Sequence, residues 1–181
     1  MNMPATRTSR PALPDAIDFR LASPDRDAAE LTALLHRAYA RLGDMGLRYM
    51  AVDQTADITR QRMAMGECHL AVLDGAIVGT VLFKPTDRTR GSPWLDRPDI
   101  ASLAQLAVDP LIQGAGLGNR LMALAETRAR KSGAREIALD TAEPATHLRH
   151  WYSSRGYRFI EYAQWKHTNY RSVVMSKVLP A

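Results

Sequence analysis

The segment LAQLAVDPLIQGAGLGNRLMALAE, residues 103–126, places Gly114, Gly116 and Gly118 at alternate positions between an apolar run and an amphipathic run. Glycine weakens strands and helices alike, so this spacing needs a cause. Either the turn requires dihedrals that glycine alone tolerates, or another group comes close to the backbone. The first helical amides of a helix point outward unpaired, and the helix dipole favours anions there. A glycine turn leading into a helix therefore suits a phosphate cradle. The other reading is a turn kept glycine-rich so that strand and helix pack closely.

Two nucleotide motifs fail at these residues. A P-loop needs Lys-Ser or Lys-Thr after its last glycine, whereas Asn119-Arg120 follows here. A dinucleotide fingerprint G-x-G-x-x-G would place its third glycine at Asn119. Asp140, at the end of the next apolar run, lies where a ribose-binding acid would stand, but Asp109–Gln113 keep the strand from running straight into the glycines. The remaining reactive residue types offer less. Cys68 sits in the apolar run ECHLAVL and reads as a buried strand residue. As a lone cysteine it excludes an internal disulfide and a thiolate metal cluster. His147 and His150 are three apart on a short helix, with no third ligand in view, and no metal site is expected.

The surrounding pattern supplies the elements that would hold the turn. AIDFRLA alternates like a strand. Ser23-Pro24-Asp25 opens a helix, with Ser23 as its cap, and Ala28, Leu31, Leu34, Leu35, Ala38 and Tyr39 recur at helical spacing until Gly43 and Gly46 break the pattern. A weaker helix is predicted over Ala56–Met65. CHLAVLDGAIVGTVLFK reads as a hairpin turned by Asp74-Gly75. Residues 85–99 form a loop and IASLAQLAV a strand. Leu117, Leu121, Leu124, Ala125 and Ala129 give one apolar helical face, ended by Gly133. EIALDT is a strand, PATHLRHWYSSR a short helix, and GYRFIEYAQW and RSVVMSKVL two last strands. The order predicts an α/β or α+β sheet with helices on both faces.

Taken as a whole, QGAGLG fits Q/R-x-x-G-x-G/A with Gln113, Gly116 and Gly118 on the fixed positions. The chain here resembles the GNAT acetyltransferase superfamily, whose acyl-CoA pyrophosphate loop has that pattern. HWYSSRGYRF resembles the junction of its fourth helix and sixth strand, with Tyr152, Gly156 and Tyr157 in place, and DGAIVGTVLF resembles its hairpin of strands 2 and 3. The resemblance covers roughly residues 15–179. It implies a mixed, mostly antiparallel sheet of about seven strands flanked by about four helices and splayed between strands 4 and 5. It implies that Gln113, Gly114, Ala115, Gly116, Leu117, Gly118 and Asn119 hold the pyrophosphate of acetyl-CoA and that the main chain of Leu106, Ala107 and Val108 pairs with the pantetheine arm. Tyr152 matches the family's usual general acid, which protonates the CoA thiolate. Thr146 stands where many relatives have Asn. Ser102, Ala104 and Gln105 supply no base on strand 4, leaving water or a carboxylate elsewhere, such as Asp99, Glu67 or Glu143.

The expected activity is acetyl transfer from acetyl-CoA to a primary amine on a small molecule or peptide. A catalytically inactive acyl-CoA-binding regulatory module is the alternative. Tyr39, Tyr49, Gln54, His167 and Tyr170 are candidates to line the acceptor pocket, and Gly43 and Gly46 suit a mobile connection. The net charge of +5 is small for a nucleic-acid binder, and no stripe of Lys/Arg interleaved with aromatics is present, so no nucleic acid is expected. No apolar run reaches membrane-spanning length. Residues 1–14 read as a flexible tail without a secretory signal, and residues 15–181 as a single domain. A cytoplasmic enzyme follows, and the resemblance leaves room for a homodimer.

Overall fold

The computed structural model describes residues 16–180; the expected tail, residues 1–14, lies outside them. The elements run β1 (Asp18–Leu21), α1 (Pro24–Asp44), α2 (Met50–Asp53), α3 (Ala56–Met63), β2 (Glu67–Leu73), β3 (Ala76–Lys84), β4 (Ile100–Val108), a single 3-10 turn (Pro110–Ile112), α4 (Leu117–Lys131), β5 (Glu136–Ala142), α5 (Thr146–Ser153), β6 (Arg158–Ala163) and β7 (Ser172–Val178). The expected boundaries hold to within a few residues. Asp74 and Gly75 take φ of 50° and 83°, the paired left-handed conformations of a two-residue hairpin. Gly43 does not stop α1. The helix runs to Asp44, and the chain turns at Gly46, where φ is 76°. The single turn α2 escaped the sequence pattern because four residues show no periodicity.

The seven strands form one sheet in the order β1-β2-β3-β4-β5-β7-β6. Every pair is antiparallel except β4–β5. Helices cover both faces. On one, Leu31, Leu34 and Leu35 of α1 pack with Leu70, Ile77 and Leu82. On the other, Leu117, Leu121 and Ala125 of α4 pack with Ile137, Leu139 and Val173. The close approach of α4 to the sheet falls at Gly79 of β3, where an added Cβ would lie 3.0 Å from Leu121 and 3.1 Å from Leu117. Among the described residues no helix is long and apolar enough to cross a membrane.

Two departures from regular pairing sit in the middle of the sheet. Thr80 pairs with Ala107 and Leu82 with Ala104, so Gln105 and Leu106 together oppose Val81 alone. This is a β-bulge, and Gln105 has φ of 49°. In addition, the β4–β5 register ends at Ser102↔Ala138. Beyond it β4 stays paired with β3 as far as Val108↔Gly79, and β5 with β7 as far as Ala142↔Ser172. The facing edges of β4 and β5 therefore part.

The start of α1 is fixed by a different residue from the one expected. Ser23 occupies the N-cap position but its side chain makes no capping bond. The Asp27 carboxylate, in a residue only 2% exposed, accepts from the Ser23 amide at 2.7 Å and from both Arg20 guanidinium nitrogens at 2.7 and 2.9 Å. Arg20, helped by Arg26 and the Ser23 amide, holds this carboxyl far below the usual range against the cost of burial. A depressed folded value means the stabilisation is complete above the unfolded value, near pH 4, and is lost as pH falls toward the folded one. Asp27→Asn is expected to lower stability by about 2 kcal/mol at neutral pH and to flatten the acid loss of stability below about pH 5, both read by urea unfolding across pH.

Candidate active site

The parted strands open into a cavity of about 730 Å³. Its floor is the Leu103–Val108 stretch of β4, and its far wall is Asp140 and Thr141 of β5. Tyr39 of α1, Tyr49, Arg62 of α3, Lys84 of β3, Tyr152 of α5 and Tyr170 complete the lining, with the rings of Tyr49 and Tyr170 in contact at 4.9 Å between centroids. The cavity is kept open by hydroxyls. Tyr39 Oη donates to the Leu106 carbonyl at 3.2 Å, and Tyr49 Oη accepts from the Ala142 amide at 2.9 Å and bonds Thr141 Oγ1 at 2.9 Å. These tyrosines occupy backbone positions that strand pairing would otherwise use.

At the C-terminal end of β4 lies the glycine turn. Gly114 and Gly116 take φ of 84° and 100°, a region that side-chain-bearing residues rarely adopt. An added Cβ at either would meet nothing within 4 Å. Dihedrals, together with open space above the backbone, explain these two residues; tight packing does not. Gly116 is the N-cap of α4. Among the described residues, the amides of Gly114, Gly116, Leu117, Gly118 and Asn119 have no acceptor. Gln113 lines the cavity mouth, and its Nε2 donates to the Val108 carbonyl at 3.1 Å. Asn119 accepts from Arg155 Nε at 2.6 Å. The turn thus presents a row of unpaired donors at a positive helix end, with geometry that fits a diphosphate.

Tyr152 is 9% exposed, and burial pushes its phenol well above the usual value. No hydrogen bond engages its hydroxyl among the described residues. Tyr157, expected beside it in the same motif, is buried against α4 and donates to Glu126 at 3.1 Å.

The cavity lining also carries charges. Arg62 and Lys84 are half-buried, and burial lowers both of their pKa values. Arg62 lowers Lys84 further, while Asp140 raises both. Behind them Gln54 donates to Gln105 Oε1 at 3.2 Å and accepts from Arg62 Nη1 at 2.9 Å.

Residues 35–157 match the acetyltransferase (GNAT) family. The chain belongs to the GNAT family. It is 26% identical over 144 residues to the S-(2-succino)cysteine N-acetyltransferase of Bacillus subtilis, covering 77% of this chain and 82% of that one. It is 31% identical over 156 residues to the mycothiol acetyltransferase of Sanguibacter keddieii, covering 84% of this chain but 48% of the relative, about half its length. Among solved structures, a GNAT family acetyltransferase from Elizabethkingia anophelis with acetyl-CoA bound superposes with TM-score 0.64 at 16% identity, covering 92% of this chain and all of that one. The N-acetylglutamate synthase of Neisseria gonorrhoeae, complexed with coenzyme A and N-acetyl-glutamate, superposes with TM-score 0.64 at 18% identity, over 91% of this chain and 35% of that one.

The GNAT fold accounts for the splayed strands, and the family match together with relatives named as N-acetyltransferases makes the chain an acyltransferase. Tyr39, Tyr49, His167 and Tyr170 line the cavity as expected. Gln54 stands one layer back, holding Gln105 and Arg62. The carboxylates named as bases do not reach the cavity. Glu67 pairs with Arg128, Asp99 with Arg97 and Glu143 with Arg171. Asp140 is the carboxylate among the cavity-lining residues, and an acid directly after the apolar triplet Ile137-Ala138-Leu139 was the available signal. Arg62, Lys84 and the Gln105 side chain were missed, because their convergence from three elements has no sequence signature. His147 and His150 are exposed, and no group of three or more potential metal ligands forms among the described residues. Cys68 is buried, its thiol pushed up by burial, near Thr80. Arg120 lies over the Phe19 ring at 4.7 Å. Trp151 is less buried than Tyr152, because α5 turns it toward Gly118 and Arg155.

The coupling of Lys84 to its neighbours has a definite sign. Asp140→Asn should lower the Lys84 pKa further, and Arg62→Gln should raise it, as followed by the NMR titration of its ε-methylene carbon.

Proposed function

We propose that this GNAT chain transfers an acetyl group from acetyl-CoA to the primary amine of a small molecule by direct attack in a ternary complex, residues 15–181 forming the catalytic domain. One observation carries the reading. The cavity between the parted strands β4 and β5 is lined by Tyr152, whose hydroxyl is unengaged among the described residues, and by Gln113, which leads directly into the glycine turn with its unpaired amides. The relatives named as N-acetyltransferases and the acetyl-CoA in a structural neighbour support it.

In this mechanism the backbone from Gln113 to Asn119 holds the pyrophosphate, and the helix dipole of α4 offsets its charge. The main chain of Leu106, Ala107 and Val108, where β4 has parted from β5, pairs with the pantetheine arm as an added strand would, through the groups that Tyr39 and Gln113 leave free. An amide of the same stretch stabilises the oxyanion. The neutral amine attacks the thioester carbonyl, the C–S bond breaks, and its electron pair goes to sulfur. Tyr152 gives that sulfur its proton and is reprotonated by the proton the attacking nitrogen loses. Burial raises the phenol and so opposes full transfer, but the same low-dielectric surroundings destabilise the thiolate. Tyr152 therefore stays protonated, ready to donate. Cytoplasmic action suits the reduced state of its single Cys68.

Tyr152→Phe should cut kcat by roughly a hundredfold or more with little change in the KM for acetyl-CoA, measured as thiol release. The wild-type rate should show no alkaline decline from this group below the ordinary tyrosine range. An unchanged kcat in the variant would remove Tyr152 from the chemistry. Failure of acetyl-CoA to perturb the amide signals of residues 114–119 would remove the transferase reading itself.

A further inference from the structure

We infer that the acceptor is an amine that also carries a carboxylate, an amino acid or a close derivative, with its carboxylate held by Arg62, Lys84 and the Gln105 amide and its amine facing Asp140. This deepens the transferase reading and rests on it. Four observations on the acceptor end of the cavity lead there.

First, two half-buried cations line the cavity without an ion-pair partner among the described residues. Arg62 donates to the neutral Gln54 Oε1 at 2.9 Å, and Lys84 makes no hydrogen bond there. Burying cations without counter-charges is costly unless an anion completes the site. Second, Gln105 is 6% exposed and its Nε2 is a buried donor with no acceptor. Its Oε1 accepts from Gln54 Nε2, which fixes which end of the amide is left over. Buried polar groups are as a rule satisfied, so an orphan donor on a residue lining the same cavity as two cations marks the place of an acceptor atom.

Third, this anion position is not the one used by the coenzyme. Lys84 pairs with Ser102 at the closed end of the β4–β5 gap, while the glycine turn follows Val108 at its open end. Six residues of strand separate them, roughly 20 Å. Fourth, Asp140 shares the cavity with Arg62 and Lys84 but forms no salt bridge with either; it accepts from Trp165 Nε1 at 2.8 Å. A zwitterion matches this layout, amine toward Asp140 and carboxylate toward the cations. A polyamine would set further positive charge against Arg62 and Lys84.

The test is calorimetric titration of coenzyme A-loaded protein with matched pairs: L-phenylalanine against phenethylamine, and L-methionine against 3-(methylthio)propylamine. The carboxylate-bearing member of at least one pair is expected to bind roughly tenfold to a hundredfold tighter. Lys84→Met and Arg62→Met should each shrink that ratio, a readout unaffected by any uniform loss of affinity, with thermal melts checking the fold. Equal affinities within both pairs, preference for the carboxylate-free members, or absence of binding by all four overturns the inference. So does an unchanged ratio in both variants. Thiol release from acetyl-CoA with carboxylate-free amines alone would overturn it while leaving the transferase reading intact; failure of acetyl-CoA to bind would sink the transferase reading instead.

Discussion

The end of β4–β5 pairing at Ser102 and Ala138 is the constraint on which the rest of the molecule depends. Two adjacent parallel strands that part after three residue pairs leave two rows of backbone donors and acceptors facing a gap. Such groups are costly to bury unpaired, so the gap persists only where other partners take them. Here the partners come from the first helical region. Tyr39 takes the Leu106 carbonyl, and Tyr49 takes the Ala142 amide and Thr141 hydroxyl. The bulge at Gln105 and Leu106 adds local twist that bends β4 away from β5. The long helix α1 is thus more than a cover for the sheet. Its packing on β2 and β3 through Leu31, Leu34 and Leu35 sets where those tyrosines reach.

Charge follows the same geometry. The open end of the gap is met by backbone amides at the start of α4, where no side-chain cation is needed because the helix end is already positive. The cavity lining adds charged side chains, Arg62, Lys84 and Asp140. Gln54 ties this lining together, contacting Gln105 and Arg62 from a fully buried position behind the cavity wall. Tyr152 lines the same cavity.

Much of the architecture was legible in the chain because local signals and fold agreed. The Asp74-Gly75 turn, the apolar stripe of α4 and the glycine spacing at 114 and 116 each reflect a requirement met within a few residues: positive φ, a 3.6-residue period, an open helix start. The short turn α2 and the capping of α1 by Asp27 instead of Ser23 were not legible, since the first is too short for periodicity and the second depends on Arg20 arriving from β1.

By itself, then, the sequence determined the order of elements, the left-handed glycine turn before α4, the tyrosine on α5 and the family to which these belong. The tertiary structure alone decided which carboxylate faces the cavity and which cations stand beside it. Asp140, Arg62, Lys84 and Gln105 lie on four elements scattered over some eighty positions, and no spacing rule links them. Residues brought together by a gap between strands share an environment only after the sheet has formed, and it is partial burial there that gives the charges of Arg62 and Lys84 their consequence.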